Sequence, residues 1–313
     1  MCTAINLTDT AHIFGRTLDL ERSYGECVAI APRDFKFNFL HLPPIASHSA
    51  LFGIAHVAEG VPLYYDAANE DGLCAAALNF KGRAHYIKPK STARCLASFE
   101  LIPWMLTHAR SVEEARRFLS GITLTDESFS GALSATPLHW IFADKSGSVV
   151  AEQTEEGMKI HDNPIGVLSN SPDFRAQTEN LEHYAHIFYA TKRIKGLHCR
   201  GLDGFGIPGD FSSPSRFVRA AYVKMRAVGG GAVSRFFHIS DSISQVRGAT
   251  VSDLGEPVKT LYTSAIDTAR RRIFFTTYEN RRIRCVSLTE KLANGERLSV
   301  FPIHSGEDIL YLN

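Results

Sequence analysis

The chain has 313 residues, 44% of them apolar and 21% charged, the proportions of an ordinary globular protein able to bury a substantial core. Lys and Arg number 34 against 33 Asp and Glu, so the net charge is +1 and gives no general pull toward nucleic acid or an anionic membrane. No apolar run approaches the roughly 20 residues of a membrane helix, and no basic start with an apolar run marks a secretory signal. The six cysteines, Cys2, Cys27, Cys74, Cys95, Cys199 and Cys285, show no CxxC pairing, which argues for reduced thiols and a cytoplasmic setting.

Residues 2–7 and 12–19 read as a hairpin of apolar and β-branched strands around the turn Thr8-Asp9-Thr10. Cys2 has two readings. It is an ordinary strand residue, or, once Met1 is removed, it carries a thiol and a free α-amine on one carbon. A thiol near pKa ~8.5 and an α-amine near ~7.7 to 8.0 exchange protons readily. N-terminal nucleophile enzymes use that pairing to activate Ser, Thr or Cys. The hairpin brings Arg16 and Asp19 back toward the Cys2 end, where they would flank the thiol; a surface ion pair is the alternative.

Residues 27–31 and 51–57 read as further strands, and an Asn69-Glu70-Asp71-Gly72 turn precedes a compact strand over 74–80. That strand ends in Leu78-Asn79-Phe80, where Asn79 is either a strand terminator or an oxyanion donor through its backbone N–H. The period then changes. Residues 99–108 form an apolar helix containing Pro103, and Ser111-Val112-Glu113-Glu114 is a capping box opening a second helix to Leu119. Both are expected on one sheet face. Residues 138–142 and 148–153 form the next hairpin, with His139 read as a satisfied core histidine.

A strand over 166–170 ends in Asn170, whose amide at a strand-to-helix junction is placed to donate into a cleft; Pro172 blocks the strand and Asp173 opens a helix to about Thr191. His183 and His186 within it lack the third ligand that a metal site requires. Gly201, Gly204, Gly206 and Gly209 make a turned loop that fits no phosphate-binding fingerprint. Ser213 reads as an N-cap with Pro214 at the first helical position, so Arg216 falls in the first turn. A cation there opposes the helix dipole, which asks for an anionic partner. Gly229-Gly230-Gly231 ends that helix, another starts at Ala232, and strands over 258–266, 272–278 and 282–288 close the chain. The run Arg270-Arg271-Arg272, with Arg281, Arg282 and Arg284, reads as a solvated hairpin rather than a nucleic-acid surface. Strands, helices, strands, helices, strands make an α+β arrangement in one layered domain, residues 1–313.

With Met1-Cys2-Thr3, Phe14-Gly15-Arg16-Thr17-Leu18-Asp19, Leu78-Asn79-Phe80, Asn170 and Arg216 in this order, the chain resembles the choloylglycine hydrolase family of bile salt hydrolases and penicillin V acylases. The resemblance covers nearly the whole chain. It implies the αββα four-layer sandwich of N-terminal nucleophile hydrolases, with Met1 removed and Cys2 as the nucleophile. Arg16 and Asp19 would be the charges of the first hairpin, Asn79 and Asn170 the oxyanion groups, and Arg216 the late arginine. Asn79, where penicillin V acylases more often carry Tyr, favours the bile salt branch. The implied activity is hydrolysis of glycine- or taurine-conjugated bile salts through an acyl thioester, without metal or organic cofactor. A homotetramer is the implied assembly. The alternatives are an acylase for penicillin V or another N-acyl amide, and an unprocessed relative that binds ligand without turnover. Residues 63–65 and 129–133 are the expected acyl pocket.

Overall fold

The computed structural model describes residues 1–90, 94–188, 204–303 and 306–313. Cys199, Gly201 and the helix end expected near Thr191 lie outside the described residues. The chain opens with strands β1 (Cys2–Thr8), β2 (His12–Leu20), β3 (Glu26–Ala31), β4 (Leu51–Ala58), β5 (Val61–Asn69), β6 (Cys74–Asn79) and β7 (Arg94–Ala97). Helices α1 (Leu101–His108) and α2 (Val112–Leu119) come next, then β8 (Ile122–Thr125), β9 (Leu138–Asp144), β10 (Gly147–Thr154), β11 (Gly157–Asp162) and β12 (Val167–Leu168). Helices α3 (Phe174–His183), α4 (Ala185–Phe188), α5 (Ser213–Arg226) and α6 (Ala232–Asp241) precede β13 (Thr250–Val251), β14 (Pro257–Asp267), β15 (Arg272–Thr277) and β16 (Arg284–Ser287). Helix α7 (Glu290–Ala293) and strand β17 (Ser299–Pro302) follow.

Two antiparallel sheets form the middle layers. One runs β12-β1-β2-β14-β15-β16, with β13 on β14; the other runs β11-β10-β9-β6-β5-β4-β3-β17. Helices α5 and α6 cover the outer face of the first sheet, and α1 and α2 cover that of the second, as expected. A sheet covered on both faces has no solvent side, which is why β1 and β3 are buried residue after residue instead of alternating. One apolar cluster runs from Phe217 and Phe236 on the helices through Ile5 and Ile13 to Phe52 and Ile141 between the sheets. A second packs Leu101, Met105 and Leu119 against Leu51, Trp140 and Phe142.

Several boundaries differ from expectation for tertiary reasons. The N-cap of α5 is Ser212, whose Oγ accepts from Ser215 N–H. Ser213 is committed elsewhere, its Oγ bonded to Ser169 Oγ and Gln177 Nε2 at 3.0 Å each. The strand expected to reach Asn170 pairs with β1 only at Val167 and Leu168. Ser169 leaves the ladder because its carbonyl is taken by His139 Nε2 and its hydroxyl by Ser213 O. The helix opened by Asp173 stops at His183, with Tyr184 out of helical geometry before the short α4. The capping box at Ser111 is half formed: Ser111 Oγ accepts from Glu114 N–H, whereas the Glu114 carboxylate takes Arg110 N–H. His139 is fully buried and satisfied, with Nδ1 on Glu152 at 2.9 Å.

Candidate active site

In the β1–β2 ladder Cys2 stands opposite Leu18 and Ala4 opposite Arg16, and β14 places Tyr262 opposite Leu18 and Ser264 opposite Arg16. Residues opposed in a ladder share a face, and neighbours in sequence alternate faces. Cys2, Arg16, Tyr262 and Ser264 therefore look into the space between the sheets. Arg16 Nη1 crosses that space to the carbonyls of Tyr65, at 3.2 Å, and Ala77. Thr3, Thr17 and Asp19 look the other way, toward α5. Arg16 and Asp19 are three residues apart in a regular strand, so they occupy opposite faces instead of flanking the thiol together.

Asn170 joins the elements at the centre. Its Oδ1 accepts from Cys2 N–H at 2.5 Å and from Arg216 Nη2 at 2.9 Å, while its Nδ2 donates to Asn79 O at 2.8 Å. Arg216, in the first turn of α5, also donates through Nη1 to Cys2 O at 2.7 Å and to Thr3 Oγ1. The anion that its helix position calls for is Asp19, 3.8 Å away with both side chains fully buried. Asp19 is held in turn by Thr260 Oγ1, which donates to Oδ1 at 2.7 Å. Met1 adds a rung to the ladder: Asp19 N–H donates to Met1 O at 2.8 Å and the Met1 ammonium donates to Asp19 O.

Asn79 contributes through its backbone. Phe80 N–H donates to Pro137 O at 2.8 Å, which makes Asn79 and Leu138 a non-hydrogen-bonded pair of the β6–β9 ladder. Asn79 thus turns its own N–H and C=O toward the opposite edge of β6, where pairing with β5 reaches only Ala76. Along this open edge Arg16 takes the Ala77 carbonyl and Asn170 takes the Asn79 carbonyl. The Asn79 side chain meanwhile accepts from Lys81 N–H at 3.0 Å and ends the strand, the terminator reading, while its backbone N–H faces the open edge.

Burial pulls the Arg216 guanidinium down from its ordinary value, against the opposing pull of Asp19 and Cys2. Arg16 is equally desolvated, yet it is raised because the charges of Cys2, Tyr262, Asp66 and Asp19 outweigh that burial. Its Nη2 is buried without a hydrogen-bond partner among the described residues. Asp66 is pushed up by burial, with Arg16, Tyr262 and Ser264 opposing; Tyr262 OH and Ser264 Oγ donate to its oxygens at 2.6 and 2.8 Å. Among the described residues no three His, Cys, Asp or Glu side chains converge as a metal site. The five described cysteines are free, and among the described residues no helix is long and apolar enough to cross a membrane.

All six residues singled out in sequence thus bear on one place. Five of them form a continuous chain, Asn79–Asn170–Cys2–Arg216–Asp19, and Arg16 stands on the Cys2 face between the sheets. Sequence reasoning missed Thr260, Asp66, Tyr262 and Ser264, which support this set. Of the expected acyl pocket, Tyr65 meets the site through its carbonyl on Arg16; residues 129–133 form a turn closed by Phe129 N–H on Leu133 O at 3.0 Å, with Phe129 edge-on to Phe99.

Residues 2–301 match the linear amide C-N hydrolases of the choloylglycine hydrolase family. The chain is 40% identical to a bile salt hydrolase/transferase of Lactiplantibacillus plantarum, over 97% of this chain and 98% of the relative. It is 30% identical to a conjugated bile acid hydrolase of Lactobacillus gasseri, over 96% and 100%. Among solved structures, a mutant conjugated bile acid hydrolase from Clostridium perfringens superposes with a TM-score of 0.91 at 29% identity, covering 100% of both chains. Penicillin V acylase from Agrobacterium tumefaciens gives 0.78 at 20% identity, over 99% and 94%, a likeness of fold.

Proposed function

The chain belongs to the choloylglycine hydrolase family of linear amide C-N hydrolases, and on that premise we propose that it hydrolyses glycine- or taurine-conjugated bile salts with Cys2 as the nucleophile. The observation that carries the reading is Asn170, whose one amide binds Cys2 nitrogen at Oδ1 and the open edge of Asn79 at Nδ2.

Removal of Met1 turns the Cys2 nitrogen from a peptide amide into an α-amine at the same position. That amine takes the thiol proton as Sγ attacks the carbonyl carbon of the conjugate. Asn79 N–H and the second Nδ2 hydrogen of Asn170 receive the developing oxyanion, each donor contributing about 10²–10³ in kcat at comparable sites. The C–N bond breaks, the Cys2 ammonium gives its proton to the departing nitrogen, and glycine or taurine leaves. Water, deprotonated by the same amine, then opens the acyl thioester and restores the thiol. Arg216 holds Asn170 Oδ1 and Cys2 O in register, Asp19 orients the Cys2 ammonium, and Arg16 supplies positive charge on the thiol's side of the sheet.

Residues 1–313 act in this reading as one domain; its support is that groups from both ends of the chain, Cys2 and Thr260, bear on one network. A cytoplasmic setting, where the free thiols persist, and a homotetrameric assembly are proposed with it, and an acyl pocket is proposed from residues 63–65 and 129–133. The test is the intact mass of the purified protein together with glycine and taurine release from conjugated bile salts, with Cys2→Ser as control. Loss of Met1 and release that depends on Cys2 are expected. A processed protein that frees phenoxyacetate from penicillin V but neither amino acid would move the substrate to the acylase branch. Release unaffected by Cys2→Ser would end the nucleophile reading.

A further inference from the structure

In the β2–β14 ladder Thr260 stands opposite Asp19 and Tyr262 opposite Leu18, so Leu261 is an extra residue, a β-bulge. In a regular strand residues 260 and 262 would share a face. The bulge sends them to opposite faces: Tyr262 goes between the sheets to Asp66, and Thr260 turns toward the helices and Asp19. Bulges beside active sites commonly re-aim a side chain in this manner.

The Thr260 hydroxyl has no freedom of orientation. Gln245 N–H donates to Thr260 Oγ1 at 2.7 Å, so the hydroxyl hydrogen is committed to Asp19 Oδ1, also at 2.7 Å. The pair is fixed once more through the backbone, where Thr260 N–H donates to Gln245 O at 3.1 Å. Asp19 has few other donors of good geometry: Thr17 Oγ1 is at 3.5 Å and Arg216 Nη1 at 3.8 Å. A carboxylate with one short bond from an oriented hydroxyl depends on that bond for its rotamer.

We infer that Thr260 is a positioning residue, whose hydroxyl, oriented by Gln245 N–H through the Leu261 bulge, sets the Asp19 carboxylate in the geometry that the Cys2 amine needs. The inference rests on the proposed roles of Cys2 and Asp19. It belongs to the helix side of the first sheet and contacts no substrate.

A cleft of about 290 Å³ lies behind Thr260, lined by Asp241, Gln245, Thr263, Thr276 and Tyr278 among others. This cleft shapes the test. Thr260→Val fills the space and removes the donor, whereas Thr260→Ala opens room for a water from the cleft to replace it. A hydrogen-bonding role orders the activities wild type, Ser, Ala, Val, with kcat of the Val variant about ten- to a hundredfold down and KM unchanged. A packing role orders them wild type, Val, Ser, Ala. The measurement is kcat and KM on a conjugated bile salt for the three variants, with melting temperatures to confirm folding. Val as active as Ser would overturn the inference. Should the Val variant not fold, Ser measured against wild type decides: kcat of Ser close to wild type with Ala well below supports the inference, and Ser as far down as Ala overturns it. Asp19→Asn separates the two levels. Full activity in Asp19→Asn removes the proposed role of Asp19 and the inference with it. Loss in Asp19→Asn beside a normal Thr260→Val leaves that role standing and ends the inference alone.

Discussion

Asn170→Ala is the perturbation with the widest reach, because one side chain makes three bonds to three different elements. It strips a buried acceptor from Cys2 N–H and Arg216 Nη2 and a donor from Asn79 O. Arg216 keeps Cys2 O and Thr3, so its charge stays partly compensated. Leaving the buried Cys2 N–H and the part-buried Asn79 O unpaired then dominates, at about 1–3 kcal/mol for the first and less for the second. A total near 3 kcal/mol lowers the melting temperature of a chain this size by roughly 5 °C. Activity suffers more. Losing one oxyanion donor and the hold on the Cys2 nitrogen costs at least about 10²–10³ in kcat. Asn170→Asp sharpens the test: it restores acceptors for Arg216 and Cys2 but sets a carboxylate oxygen against the Asn79 carbonyl, so stability partly returns while kcat stays low. Both variants are compared by thermal unfolding and by single-turnover formation of the acyl thioester, read by intact mass. If Asn170→Ala forms thioester at more than a tenth of the wild-type rate, the oxyanion assignment of Asn170 is wrong.

The fold carries its own pH dependence and its own steric limits. Burial holds His12 down at about 4 against an unfolded value of 6.5, with Asp144 and Asp267 opposing in part. The unfolded chain therefore binds the extra proton first, and stability present above pH 6.5 is lost as pH falls toward 4, by at most about 3 kcal/mol. His12→Gln should shrink the difference in urea midpoint between pH 7 and pH 4.5; an unchanged difference would show that His12 does not drive it. At Gly15, a Cβ would fall 2.7 Å from Ser264 C and 2.9 Å from Ala265 Cα, both backbone atoms of β14. Gly15→Ala is expected to force β2 from β14 and to yield insoluble protein or a loss above about 3 kcal/mol, and a soluble variant with an unchanged melting temperature would contradict that close approach.

Much of this architecture was legible because apolar runs and polar turns carry the strand and helix signals directly. The first hairpin, the helices at Leu101 and Ala232 and the closing strands fall within a few residues of their expected bounds. Arg216 was legible for an electrostatic reason, since a cation in a first helical turn calls for an anion and Asp19 answers it. The opposite faces of Arg16 and Asp19 were implicit in their odd spacing, yet treating the hairpin as a line hid this. Thr260 was beyond local reading: its partner lies 241 positions away, and a bulge at Leu261 breaks the alternation that would have assigned its face. Ser212 and Ser213 are equivalent as caps by type. Only the bonds of Ser213 to Ser169 and Gln177 decide between them.

Strand β2 works as a partition one residue thick. On one side, between the sheets, lie the Cys2 and Arg16 side chains and the open edge of β6; on the other lie Asp19, Thr260 and Arg216. The charges behind the wall have partners of their own there, so a substitution on the between-sheet side leaves those contacts in place. The two faces of one strand can in this way answer to separate demands.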